Sequence, residues 1–162
     1  MDTTHIGQAL AQQLMARQWT MATAESCTGG LIANRITNVP GASAVFGHGF
    51  VTYANGAKSS LLNVSPDELA AHGAVSEVVA KQMAAGALQA SGSDIAVAVT
   101  GIAGPDGGTP EKPVGTAWIG LASANHDAIA FKVYHPRNRH DFKIAVSQAA
   151  LEAVRRRVLG LD

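Results

Sequence analysis

The 162-residue sequence has little of what several classes of protein require. It contains one cysteine, Cys27, so no disulfide can form within the chain. Lys plus Arg and Asp plus Glu both number 12, and this balance gives no bulk attraction to nucleic acid or to an anionic membrane. No apolar run approaches the roughly 18 residues that a membrane-spanning helix needs, and the first residues show no charged segment followed by a long apolar run, so we expect no targeting leader. We therefore expect a cytoplasmic protein without a nucleic-acid or membrane partner.

Aromatic and charged residues are also scarce, at 5% and 15% of the chain, whereas 47% of the residues are hydrophobic. This composition can fill the core of one compact domain of this length. Alanine and glycine are abundant, which suits close packing of helices on a sheet. We expect a single domain over residues 1–162.

Hydrophobic periodicity and turn signals predict alternating helices and strands. The predicted helices cover residues 3–17, a segment after Gly30, residues 57–62, segments opening at Pro66 and Glu77, and a closing segment around residues 142–154. The predicted strands are residues 20–24, 46–53, 95–100, 115–123 and 128–134. The last two strands flank a turn at residues 125–127 and are typical of a hairpin, so the sequence predicts an α/β domain around a mixed sheet.

A serine, Ser26, lies where the first predicted strand turns into a helix. The N–H groups of Thr28, Gly29 and Gly30 lie beside it in sequence, and with the helix dipole they could hold an oxyanion. The plainer alternative is that Ser26 or Thr28 caps the helix. The neighbouring Cys27 could itself be a nucleophile, although a buried, small apolar residue is the commoner role.

A nucleophilic serine needs a base, and Lys58 is the candidate. It follows a predicted strand end, where many α/β sites lie, and burial can lower the pKa of a lysine toward neutrality. A solvated lysine on a short helix is the alternative. The six histidines are scattered, and no cluster of His, Cys and Asp has the spacing of a metal site, so we expect no metal.

Residues 101–110 form a glycine- and proline-rich loop after a buried strand. Its backbone could form a nest for a phosphate, or it could be a flexible excursion. Arg137 and Arg139 precede the last predicted helix, where a cation is unfavourable for the helix dipole. This position favours a ligand-facing role for one of the two.

Five ordered blocks of sequence together resemble the CinA C-terminal domain family, over about residues 5–158. The blocks are residues 24–30, 53–58, 72–77, 100–108 and 111–116. The resemblance implies a three-layer α/β/α fold, usually a homodimer, with no metal or organic cofactor. It also implies an amidohydrolase that converts nicotinamide mononucleotide, a small-molecule substrate, to nicotinate mononucleotide and ammonia in pyridine nucleotide salvage.

The resemblance further assigns roles to individual residues. It makes Ser26 the nucleophile and Lys58 the base, and it places Tyr53, Asn55 and Thr100 on the site, with Tyr53 as a possible proton relay.

The family's arginine before the last helix maps onto Arg139, with Arg137 as a competitor. Arg139 and loop residues that include Gly101 and Gly104 would hold the phosphate. A non-catalytic nucleotide-binding or competence-associated module of the same fold is the alternative function. Hydrolysis of a phosphate ester, which the glycine loop suggests, lacks a carboxylate cluster for a metal.

Overall fold

The computed structural model of the chain describes residues 4–161 and shows a five-stranded mixed sheet between two layers of helices. The helices are α1 (Thr4–Arg17), α2 (Leu31–Thr37), α3 (Asn55–Leu62), α4 (Pro66–His72), α5 (Glu77–Ser91) and α6 (Arg139–Val158). The strands are β1 (Met21–Glu25), β2 (Phe46–Val51), β3 (Ile95–Gly101), β4 (Thr116–Ser123) and β5 (His126–Tyr134). The predicted three-layer α/β/α fold is confirmed.

The strand order in the sheet is β2-β1-β3-β4-β5. Strand β1 pairs in parallel with both β2 and β3, whereas β3–β4 and β4–β5 are antiparallel. The carboxyl ends of β1, β2 and β3 therefore meet at one edge of the sheet. The segments that follow these three strands contain most of the residues singled out above.

Two hydrophobic cores lie on the two faces of the sheet. One packs α1, α2 and α6 against it, and the other packs α3, α4 and α5. Strand β3 contributes to both, since Val97 and Val99 face the first core and Ala96 and Ala98 the second. Burial on both faces explains why this strand is a continuous apolar run rather than an alternating one.

Small residues bring the second helical layer close to its neighbours. A Cβ added at Gly86 of α5 would lie 1.9 Å from the backbone oxygen of Leu62, and one at Gly120 of β4 would lie 2.2 Å from that of Ala80. Backbones can approach this closely only where a side chain is absent. The abundance of glycine thus serves helix–sheet packing as well as turns.

Element boundaries differ from the predictions by a few residues at several places. Helix α3 begins at Asn55 rather than residue 57, and α6 begins at Arg139 because Asn138 caps it, its side chain accepting from Asp141 N–H at 2.9 Å. The β4–β5 turn contains residues 124–125, with Asn125 at φ +67°, and His126 already belongs to β5. Local hydrogen bonds, rather than hydrophobic periodicity, set these boundaries.

Within residues 4–161, no helix combines the length and the apolar character needed to cross a membrane.

Replacing Gly86 with alanine should destabilise the protein, although alanine favours a helix by about 1 kcal/mol over glycine. The new methyl group meets the Leu62 backbone, and overpacking of this kind costs about 1–3 kcal/mol. Urea denaturation measures the change. Gly56→Ala in α3 is the matched control, because nothing lies within 4 Å of its added Cβ, and it should leave the free energy of unfolding unchanged or slightly raised. Equal effects of the two substitutions would contradict the packing argument.

Candidate active site

Ser26 directly follows β1 at the carboxyl edge of the sheet. Its N–H donates to the Val99 carbonyl of β3 at 3.1 Å, which continues the parallel pairing by one residue. The side chain is largely buried, with 8% of its surface exposed. The serine is therefore held on the rigid end of a central strand and not on a loose loop.

Lys58 points at this serine from the first turns of α3. Its side chain is 1% exposed, and Nζ donates to Ser26 Oγ at 3.1 Å, to the Thr52 carbonyl at 2.8 Å and to the Tyr53 carbonyl at 3.1 Å. The two carbonyls belong to the connection between β2 and α3. Because β2 pairs with β1, this connection lies beside the end of β1 and places the amine next to the hydroxyl.

Burial lowers the pKa of Lys58 below its ordinary value of 10.5, because desolvation disfavours the ammonium form. Within residues 4–161, no carboxylate forms an ion pair with it. In the neutral amine the two N–H bonds can still donate to the carbonyls of Thr52 and Tyr53, which leaves the lone pair facing Ser26 Oγ. This arrangement suits a base that accepts a proton from a serine.

The thiol of Cys27 is a poor alternative nucleophile. Only 5% of the residue is exposed, and burial raises the pKa of the thiol to about 12. A thiol with such a pKa stays protonated at neutral pH, and it is the thiolate that reacts.

Sequence analysis missed the part played by Glu25. This residue is fully buried, and its carboxylate accepts hydrogen bonds from Thr28 Oγ1 at 2.6 Å, Ile32 N–H at 2.8 Å and Ala33 N–H at 3.0 Å. It therefore satisfies the first-turn amides of α2 from outside the helix. Separations of seven and eight positions between Glu25 and these two amides match no local capping pattern, so spacing alone gave no signal.

The role of Thr28, Gly29 and Gly30 in substrate binding stays a prediction. None of them lines the cavity at Ser26. The Thr28 hydroxyl donates to Glu25, Gly29 N–H donates to the Ser26 carbonyl at 3.1 Å, and Gly30, at φ +103°, is the N-cap of α2. These residues form the turn itself and begin the helix. The side chains of Ser26 and Thr28 do not cap it, because Glu25 takes that place.

A cavity of about 280 Å³ lies at this edge of the sheet. It is lined by nine residues that the sequence or the family resemblance singled out: Ser26, Cys27, Tyr53, Asn55, Lys58, Thr100, Gly101, Gly104 and Arg139. Asp106, Gly107 and the segment containing Ala74 and Val75 complete the wall, together with neighbours of these residues. The parallel strands thus bring together segments that are up to 113 positions apart, from Ser26 to Arg139.

Of the two candidate arginines, Arg139 reaches the cavity. Its guanidinium donates to the Gly104 carbonyl at 2.8 Å and to the Tyr53 hydroxyl at 2.9 Å. Arg137 lines a different cavity beside His135. As the first residue of α6, Arg139 connects the glycine loop to the β2–α3 connection.

The glycine loop forms part of the cavity wall and contains backbone N–H groups without a partner among residues 4–161. Ala103, Gly104, Asp106 and Gly107 all line the cavity, and in the described part of the chain their N–H groups make no hydrogen bond. Four unused amides beside an arginine form a site suited to an anion.

The opposite wall is fixed by hydrogen bonds to backbone carbonyls. The Thr100 hydroxyl donates to the Ala74 carbonyl at 2.9 Å, and Lys112 Nζ donates to the His72 carbonyl at 2.5 Å. The first bond holds the segment after α4 against the end of β3, and the second joins the end of α4 to the connection between β3 and β4. Among residues 4–161, no group of three or more His, Cys, Asp or Glu side chains could hold a metal ion.

The fold and this cavity define an α/β/α domain with a serine–lysine pair at the carboxyl edge of its parallel strands. The family model of the CinA C-terminal domain matches residues 3–158, and the chain belongs to that family.

Relatives of two lengths resemble this chain. A protein of Enterobacter agglomerans named nicotinamide-nucleotide amidohydrolase PncC is 48% identical over 143 residues, which are 88% of this chain and 87% of that protein. A CinA-like protein of Akkermansia muciniphila is 59% identical over 130 residues, 80% of this chain but 31% of that protein. The chain spans 28–38% of the length of six such long relatives. A solved structure of the Klebsiella pneumoniae competence damage-inducible protein A is 32% identical, with a TM-score of 0.94 and 100% coverage of both chains.

Replacing Lys58 with methionine should raise the free energy of unfolding at neutral pH. Because the pKa is lowered in the folded protein, Lys58 binds a proton more readily in the unfolded chain. At pH values below the folded pKa, the buried lysine therefore lowers the free energy of unfolding. This cost should fade as the pH rises from the folded pKa toward 10.5. The gain from methionine should shrink over the same range.

Urea denaturation of both proteins across pH measures this difference. Lys132→Met, at an exposed residue of β5, is the control and should show no such pH dependence. A gain from Lys58→Met that is constant with pH would show that the burial of charge is not its cause.

Proposed function

We propose that this chain is a nicotinamide-nucleotide amidase that hydrolyses nicotinamide mononucleotide to nicotinate mononucleotide and ammonia. The observation that carries the proposal is the 3.1 Å contact between Lys58 Nζ and Ser26 Oγ in the wall of a 280 Å³ cavity. The name of the Enterobacter agglomerans relative, which this chain matches over most of both lengths, supports the choice of substrate.

The first half of the reaction forms an acyl-enzyme. Ser26 Oγ attacks the carboxamide carbon while its proton passes to the lone pair of neutral Lys58. The carbon–nitrogen bond then breaks, and the leaving group takes the proton from Lys58 and departs as ammonia. Tyr53 lines the same cavity and can relay this proton. Losing a donor to the tetrahedral oxyanion commonly costs about 10²–10³ in rate, so backbone amides near Ser26 would contribute.

The second half returns the enzyme to its starting state. A water molecule attacks the ester carbon, and Lys58 accepts a proton from it. The bond between the carbon and Ser26 Oγ breaks, and the proton on Lys58 moves back to the serine oxygen. The pyridine acid is released. One amine serves both halves, because the two carbonyls that hold Nζ keep it beside the serine oxygen throughout.

The nucleotide's phosphate would bind at the other end of the cavity. Arg139 and the unused amides of the 103–107 loop offer it charge-assisted hydrogen bonds. Binding energy gained there positions the carboxamide near Ser26. We further propose, from the family resemblance, that the chain acts as a homodimer in the cytoplasm, in pyridine nucleotide salvage and without a cofactor.

Ser26→Ala should abolish the release of ammonia from nicotinamide mononucleotide, with a fall of roughly 10⁴-fold or more, because no covalent intermediate can form. An ammonia assay on the purified protein measures this. Ser60→Ala, at an exposed serine of α3, is the control and should retain activity. A wild-type protein that binds the nucleotide but releases no ammonia would indicate the non-catalytic module instead.

Arg139→Met should raise KM for nicotinamide mononucleotide by roughly tenfold or more with a smaller change in kcat, because the arginine contacts the phosphate and not the reacting carbon. Arg137→Met, two positions away and facing another cavity, is the matched control. A larger effect of the Arg137 substitution would reverse the assignment of the phosphate contact.

A further inference from the structure

The amine of Lys58 is held by neutral groups. Its three hydrogen-bond partners are a hydroxyl and two carbonyls. The buried Glu25 of neighbouring β1 directs its carboxylate at the amides of α2, and on α5, which packs against α3, Glu77 and Lys81 form an exposed ion pair with each other at 3.0 Å. These contacts supply no counter-charge to the ammonium form.

The remaining titratable groups near Lys58 line the same cavity. Cys27 stays a neutral thiol because its pKa is raised to about 12. Tyr53 accepts a hydrogen bond from Arg139, and the cavity has one carboxylate, on the exposed residue Asp106 of the glycine loop. The protonation state of Lys58 is therefore sensitive to any further charge that enters this cavity.

The proposed substrate brings such a charge. In an oxidised nicotinamide nucleotide the ring nitrogen is bonded to ribose, so the pyridine ring is a cation. For attack, the carboxamide carbon must come within about 3–3.5 Å of Ser26 Oγ, and the ring nitrogen is about 4 Å from that carbon. With 3.1 Å between Ser26 Oγ and Lys58 Nζ, these three distances sum to about 10 Å, so the ring charge lies within roughly 10 Å of the amine.

We propose that the positive charge of the substrate's own ring drives Lys58 into its neutral form, so that binding of a cationic pyridine carboxamide activates the base. This inference rests on the proposed function and deepens it. As the ring enters, the N–H bond of the ammonium breaks and its proton leaves to bulk solvent. A nearby like charge disfavours the ammonium, in addition to the effect of burial.

The size of the effect follows from Coulomb's law. At roughly 10 Å and an effective dielectric constant of about 20, proton binding to Lys58 should weaken by at least about tenfold. A nucleotide with the reduced, uncharged ring carries the same ribose and phosphate but should not have this effect. The site would then favour N-substituted pyridinium carboxamides over neutral carboxamides.

The first test compares two pH profiles of the wild-type protein with nicotinamide mononucleotide. The acidic limb of the kcat/KM profile reports the pKa of Lys58 in the free enzyme. The acidic limb of the kcat profile reports the pKa of Lys58 in the complex with substrate. The limb in kcat should lie at least about one pH unit lower, which corresponds to the tenfold change. Coincident limbs would overturn the proposal.

The second test counts protons released on binding, by calorimetry in buffers of different ionisation enthalpy, with Ser26→Ala to prevent turnover. At each pH on the acidic limb of kcat/KM, nicotinamide mononucleotide should release more protons than its reduced form. Any proton lost from the phosphate is common to both ligands. The difference should vanish in Ser26→Ala/Lys58→Met and persist in Ser26→Ala/Lys132→Met.

The outcomes separate this inference from the proposed function. Ammonia release by the wild-type protein together with equal proton release by the two ligands would overturn the inference alone. A difference in proton release that survives Lys58→Met would also overturn the inference and leave the proposed function standing. If the wild-type protein releases no ammonia from the nucleotide, the proposed function fails, and with it the role of substrate charge in catalysis.

Discussion

The site depends on one buried amine held between two carbonyls and a hydroxyl. Lys58 is almost fully enclosed, yet its Nζ has a hydrogen-bond partner in each of three directions. An enclosed ammonium without a carboxylate is costly, whereas a neutral amine in the same place satisfies both carbonyls and keeps a lone pair for the serine. The fold thereby favours the protonation state that a base requires, without needing a neighbouring acidic residue to orient it.

Parallel pairing of three strands makes this contact possible. Ser26 directly follows strand β1, and β2 and β3 on either side lead into the Lys58 helix and the glycine loop. The first-turn amides of α2, which usually attract a ligand anion, are occupied by the buried carboxylate of Glu25. Amides of the described residues that line this cavity without a hydrogen-bond partner include those of the glycine loop, beside Arg139. Glu25 thus holds the turn that presents the nucleophile, and Arg139 and the glycine loop form a separate part of the cavity wall.

This separation gives the cavity two chemically different ends. Around Lys58 the partners are neutral, so a charge carried in by a ligand acts on the amine with little internal compensation. Around Arg139 the guanidinium and backbone amides are arranged for an anion. A zwitterionic ligand, with a cationic ring and an anionic phosphate, matches this polarity better than a neutral carboxamide does.

The sequence by itself determined the order of elements, the mixed sheet and most of the segments that meet at the cavity, because apolar periodicity, caps and glycine turns are local signals. Family-like blocks of sequence added Tyr53, Asn55 and Thr100, and spacing left Arg137 and Arg139 as equal candidates. Only the tertiary structure decided between these arginines, assigned Glu25 to capping α2 and moved Thr28, Gly29 and Gly30 out of the cavity wall. Burial and contacts between distant segments depend on strand pairing and helix packing. Local residue patterns therefore predict neither the enclosure of Lys58 nor its distance from Ser26.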